Sequence, residues 1–143
     1  MFETVVIATD GSESVKRGVT AAIDLAERFD GTVHALYVAD SRTVEDSPSE
    51  IQSDVETAIQ EAGEEALSYV EEQAGDEEIV TAIRDGTPAE EIIDYAESVD
   101  ADAIAMGTRG RDGEHAFLLG SVAEAVVRHA PMPVLTVRQL EEN

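Results

Sequence analysis

Chemistry is concentrated in the stretch Gly107-Thr108-Arg109-Gly110-Arg111-Asp112-Gly113-Glu114-His115-Ala116-Phe117-Leu118-Leu119-Gly120-Ser121, between an apolar run and a helix-like one. Such residues suit a phosphate cradle. Glycine accepts positive φ and lets backbone approach a ligand, and the N–H groups of a starting helix attract anions. Glycine spacing alone is a weak signal, because turns favour glycine too. Ser121 sharpens it, falling directly after Gly120 where Val122, Ala125, Val126 and His129 begin a helical apolar stripe. Its hydroxyl can donate to phosphate, cap the helix with Glu124 three residues on, or do both.

Catalytic constellations are thin. The P-loop lysine pattern, the G-x-S-x-G elbow, H-E-x-x-H and cysteine clusters are all missing. His34 lies within a strand-like run and His129 near a helix end, where a structural role is expected. His115 is closer to the cradle and could meet a phosphate when protonated, but a lone loop histidine is usually just exposed. Phosphoryl transfer needs charge neutralisation and in-line positioning, and neither is assured by these residues.

The elements that must position these residues alternate. Beta-like runs at Thr4–Thr9, Thr32–Ala39, Glu78–Arg84, Asp102–Gly107 and Pro133–Arg138 are rich in Val, Ile and Ala. Val15, Val19, Ala22, Ile23, Ala26 and Phe29 form one helical stripe, and Ile51, Val55, Ala58, Ala62, Ala66 and Val70 form another on a strongly acidic segment. A third helix is signed by Thr87 as N-cap, Pro88 in the first helical position and Glu90 placed for a capping box. Asp40–Glu50 has no apolar periodicity and reads as a loop, a solvated connector or a shield over a ligand. This order predicts an α/β domain with a five-stranded parallel sheet covered by helices on both faces. In such sheets ligands sit beyond the carboxyl ends of strands at a topological switch point. Asp10-Gly11-Ser12 and the segment from Gly107 satisfy that rule.

The 143 residues fit one domain, 1–143, with no internal repeat or composition shift. A signal peptide is not expected at Met1-Phe2-Glu3, which lacks a basic n-region. No segment approaches the ~18 apolar residues of a membrane span, and the absence of cysteine permits a reducing cytoplasm. Thirty-two acidic residues stand against 9 basic ones, a formal charge of −23, and Lys16 is the only lysine. Nucleic acid and anionic membranes are therefore poor partners, since no basic face replaces their counterions. The acidity is either a solvated face or an adaptation to a salt-loaded cytoplasm, where a Debye length of roughly 3 Å at 1 M salt screens self-repulsion.

The glycine pattern resembles that of nucleotide-binding members of the universal stress protein family. Gly107, Gly110, Gly120 and Ser121 reproduce its glycine, two residues, glycine, nine residues, glycine and serine or threonine. Thr4-Val5-Val6-Ile7-Ala8-Thr9-Asp10-Gly11-Ser12 resembles the family's first strand and acidic turn, and Arg128–Arg138 resembles its closing segment, so the similarity spans nearly the whole chain. The resemblance implies a Rossmann-like fold related to the adenine nucleotide alpha hydrolases. It also implies ATP or another adenine nucleotide as ligand, with Mg²⁺, and a homodimer through the final strand.

Carried over residue by residue, the implied nucleotide site is Asp10, Val38, Gly107, Arg109, Gly110, Gly120, Ser121 and Val122. Asp10 would face the ribose or a nucleotide-bound Mg²⁺, or else serve only its own turn. Val38 would meet adenine through its backbone, or else be a plain core residue. Arg109 and Arg111 would contact phosphates, or else only offset Asp112 and Glu114. Those two acids leave the segment formally neutral where relatives often carry basic or small polar residues, which would weaken triphosphate affinity. Ala8 stands where many relatives have proline. A receiver domain would need clustered acids and a late lysine, and a nucleotidyl transferase an H-x-G-H turn; neither is present. Three readings follow: a nucleotide-binding stress protein, a dimeric interaction module of the same fold that binds no nucleotide, and a slow ATP hydrolase.

Overall fold

Unbroken runs of valine, isoleucine and alanine leave a strand no face suited to water, so such strands settle inside a parallel sheet covered on both sides. The structure, a computed structural model, describes residues 2–12, 15–75, 77–108 and 120–138. Its elements are β1 (Thr4–Ala8), α1 (Lys16–Arg28), β2 (Thr32–Asp40), α2 (Ser41–Glu45), α3 (Gln52–Ala74), β3 (Ile79–Gly86), α4 (Pro88–Ser98), β4 (Ala103–Gly107), α5 (Ser121–His129) and β5 (Val134–Val137). The five strands form one parallel sheet in the order β3-β2-β1-β4-β5. This is the expected α/β, Rossmann-like architecture, with strand ends shifted by one or two residues from the sequence boundaries.

Period-two alternation divides the core. Val5, Ile7, Val33, Ala35 and Tyr37 pack under α1 and α3, through Val19, Ala22, Ile23, Ala66, Leu67 and Val70. Val6, Ala8, Leu36, Ile104 and Met106 face the other way, onto Ile92, Tyr95 and Ala96 of α4 and Ala123 and Val126 of α5. Right-handed crossovers require this arrangement: β1 to β2 to β3 runs one way with helices on one face, and the return to β4 and β5 puts helices on the opposite face.

Several local expectations are corrected. Phe29 does not join the buried stripe of α1; it is 46% exposed and sits edge-on to Phe2, with ring centroids 5.2 Å apart. On α3 the buried residues are Gly63, Ala66, Leu67, Val70 and Ala74, while Ile51 and Ala58 are exposed. Only the later turns of that helix lie on the sheet.

Asp40–Glu50 is not wholly a loop, because α2 forms within it. Asp40 caps this helix by accepting the Arg42 N–H at 3.0 Å and pairing with the Arg42 guanidinium at 2.7 Å. That hydrogen-bonded guanidinium holds the Asp40 carboxyl below its usual range. A five-residue helix made by its cap carries no apolar stripe, so periodicity misses it.

At α4, Thr87 and Pro88 bound the helix as expected, yet the Thr87 hydroxyl makes no cap bond. Gly86, at φ 148°, instead has Glu91 against it: a Cβ there would lie 2.8 Å from Glu91 Oε1.

Candidate functional site

The carboxyl ends of β1 and β4 lie side by side where the sheet reverses direction, with β2 on the other flank of β1. That crevice is where open α/β sheets bind ligands. Register sets the heights. Ala8 pairs with Leu36 and Ile7 with Ala105 in the last rungs that β1 makes, so Asp10, Val38 and Gly107 each follow two residues beyond a last rung. The sheet thereby gathers three of the expected site residues on one rim.

Backbone geometry there follows from the ladder. The Thr9 N–H donates to the Leu36 carbonyl at 2.9 Å, and β1 then turns away. Gly11, at φ 78°, donates its N–H to Thr9 Oγ1 at 3.1 Å, and the Ser12 N–H donates to Asp10 Oδ1 at 2.9 Å. One Asp10 oxygen therefore serves its own turn, as Asp does in such places. Strand groups alternate sides, so Val38, two residues past Leu36, aims its N–H and carbonyl to the side that β1 has left. The Ser12 hydroxyl at this turn is buried and makes no hydrogen bond. A buried polar atom without a partner is the kind that a water or ligand satisfies.

The start of α5 is set at the same rim. Gly107 ends β4 in register with Val137, and the Gly120 N–H donates to the Thr108 carbonyl at 2.6 Å. Arg109, Gly110, Arg111 and His115 lie outside the described residues. Gly120, at φ −64° and ψ 158°, is the N-cap of α5, and its carbonyl accepts the Glu124 N–H at 2.9 Å. Ser121 is thus the first helical residue and not the cap; its side chain is exposed at the helix start. Val122 packs half-buried against the core beneath α4 and α5, while its N–H belongs to the first helical turn, whose donors lack intrahelical partners. The buried residues of α5 are Ala123 and Val126, and His129 is exposed, which corrects the expected stripe.

Two neighbours of the rim escape a reading of the sequence. A Cβ at Gly18 of α1 would lie 3.4 Å from the Met106 carbonyl carbon and oxygen and 3.6 Å from the Gly107 nitrogen. A signal exists, since a glycine inside a helix costs about 1 kcal/mol against alanine and implies a packing reason. Arg17 Nη1 donates to the Arg138 carbonyl at 2.6 Å; an exposed arginine gives no such hint in sequence.

His34 is remote from the rim and structural, with Nδ1 2.9 Å from the Tyr95 hydroxyl and the Arg84 guanidinium 5.1 Å above the Tyr95 ring. Burial lowers the His34 pKa and raises that of Tyr95. An open hollow of about 480 Å³ on α3 is lined by Glu61, Glu64, Glu65 and Glu72 with Ser68 and Tyr69, a lining that repels anions. Among the described residues no group of three or more His, Cys, Asp or Glu side chains could hold a metal ion. No helix of the described residues is long and apolar enough to cross a membrane.

Comparison with known proteins gives matches along the chain. A family model described as the universal stress protein family matches residues 1–138. Universal stress protein MJ0531 of Methanocaldococcus jannaschii is 39% identical over 142 residues, which cover 97% of this chain and 84% of that protein. Among solved structures, hypothetical protein MJ0577, the subject of a structure-based assignment of biochemical function, aligns with a TM-score of 0.85 at 26% identity, covering 99% of both chains. A universal stress protein in complex with cAMP aligns with a TM-score of 0.65 at 28% identity, covering 97% of this chain and 98% of that one.

Proposed function

The chain belongs to the universal stress protein family, and on that premise we propose that it binds an adenine nucleotide, ATP with Mg²⁺, at the rim between β1 and β4 and acts in the cytoplasm as a nucleotide-dependent stress-response module. The observation that supports this reading is the register, whose last rungs on β1, Ala8 with Leu36 and Ile7 with Ala105, are each followed two residues later by Asp10, Val38 or Gly107. The backbone of Val38 offers an adjacent donor and acceptor on the side that β1 has left. Adenine presents a complementary acceptor and amino donor on its Watson–Crick edge, whereas guanine presents the reverse. Gly107, Gly110 and Gly120 let backbone approach the phosphates, Ser121 and the Val122 N–H meet them at the start of α5, and Arg109 adds positive charge. Asp10 faces the ribose or gives one oxygen to the Mg²⁺ that arrives with the nucleotide. The relative bound to cAMP supports an adenine ligand at this fold.

The same reading makes the protein a homodimer through β5. That edge strand carries Leu135 at 38% exposure, and an open apolar edge invites pairing. The neutral balance of Arg109 and Arg111 against Asp112 and Glu114 favours a second reading, a dimeric interaction module that binds no nucleotide. Mass spectrometry of the freshly purified, denatured protein decides between them: a co-purified adenine nucleotide supports the first. Nucleotide-free protein that also fails to take up added ATP leaves the second. Slow hydrolysis remains a property to measure only where ATP binds.

A further inference from the structure

α1 begins just beyond the Asp10-Gly11-Ser12 turn, and its opening turn lies across the ends of β4 and β5. Gly18 packs on the backbone of Met106 and Gly107 at the end of β4. Arg17, one residue earlier, reaches further, its Nη1 donating to the Arg138 carbonyl at 2.6 Å just past β5. A guanidinium on a carbonyl is a charge-assisted bond, stronger than a neutral one. β5 has only four residues, and its last, Val137, pairs with Gly107. The outgoing end of the edge strand is therefore held on two sides by elements that border the proposed nucleotide site.

We infer that Arg17 is a positioning residue that couples nucleotide occupancy to the pairing of β5 with a second copy of the chain. This regulation rests on the nucleotide reading above. A ligand bridging the Asp10 turn and the start of α5 fixes the opening turn of α1 against β4. Arg17 carries that constraint to Arg138, so β5 has less freedom left to lose when a partner strand pairs with it. Coupling is reciprocal: with one site on each copy, the dimer must bind nucleotide more tightly than the monomer at each site, by the square root of the factor by which saturating nucleotide tightens the dimer.

Sedimentation velocity over a dilution series, with and without saturating MgATP, gives the dimer dissociation constant of wild type and of Arg17→Ala, and calorimetry gives the ATP affinity of each. MgATP is expected to tighten the wild-type dimer about 5- to 50-fold, a usual range for coupled sites. Arg17→Ala should still melt cooperatively, bind ATP and dimerise, with its dimer constant responding to MgATP by less than about twofold. The inference is overturned by a wild type that binds ATP with an unchanged dimer constant, by a chain that stays monomeric throughout, or by full coupling in Arg17→Ala. Should that variant fail to fold, amide exchange in the wild type decides: below the dimer constant, MgATP must slow exchange at residues 134–138, and unchanged exchange there is disproof. A wild type that binds no ATP in the calorimeter sinks the nucleotide reading itself, a result distinct from binding without coupling.

Discussion

Gly120 donates its amide to the carbonyl oxygen of Thr108 at 2.6 Å, so the chain returns to the sheet at the point where it left. This bond sets the start of α5 beside the end of β4. Gly120 is extended and caps the helix with backbone alone, which gives the first two substitutions their expected outcomes.

Replacing Gly120 by valine puts a branched side chain where backbone is proposed to approach phosphate, and ATP binding should be abolished while cooperative melting survives. Ser121→Ala should weaken binding only partially, because the helix N–H groups remain. Since Ser121 is not the cap, its removal should shift stability by no more than about 0.5 kcal/mol, well below the cost of losing a true cap. Calorimetry with ATP and thermal melts of both variants check this. A folded Gly120→Val that binds like wild type would refute the cradle.

Magnesium should be required for tight ATP binding. The chain carries −23 formal charges, so an unneutralised triphosphate approaches against repulsion, and Mg²⁺ both lowers the ligand's charge and bridges its oxygens near Asp10. Titrations with Mg²⁺ and with EDTA at matched salt should differ in affinity by at least about tenfold, which is 1.4 kcal/mol. Equal affinities would mean that the backbone donors suffice.

Salt should stabilise the fold. The described ion pairs Arg28–Asp24, Arg42–Asp40 and Arg128–Glu124 lie at the surface, where each contributes little. Repulsion among the many remaining carboxylates persists, and screening relieves it. The melting temperature should climb as KCl rises from about 0.1 M towards 2 M. A flat profile would refute the salt-adapted reading.

Acid should cost stability through His34. Its pKa is lowered by burial, so in the window from about pH 6.5 down to the lowered folded value the unfolded chain binds the proton and the native one resists it. The contribution is therefore complete above about pH 6.5 and is lost as pH falls below it. Thermal melts between pH 8 and 5 should fall more steeply for wild type than for His34→Gln, which cannot titrate. Parallel curves would show that His34 takes up its proton in both states alike.

The central strands β1 and β4 are legible in the sequence without any alternation of apolar and polar residues: Val5, Val6 and Ile7 are all buried, as is β4 throughout, and a strand buried on both faces writes itself as a run. The switch point between β1 and β4 follows from strand order. Other features leave weaker marks. Serine is so favoured a cap that the sequence points to Ser121, one position late, whereas Gly120 caps through its φ and ψ. Val38 would act through main-chain atoms that any residue carries. Arg17 meets Arg138 only after the whole chain has folded between them.

The sheet order also bears on how the protein is made. β1 emerges early in chain order yet lies at the centre, with β2 on one side and β4 on the other. Val5 can find Val33 soon, but its other partner is Ala103, and contacts so distant in sequence form late. Until β4 arrives, a growing chain holds an apolar strand edge open to every neighbouring copy, the usual route to aggregation. The acidic helix α3 is already attached by then, so half-made chains repel one another. Charge that is predicted to burden the finished fold at low salt would thus keep unfinished copies apart.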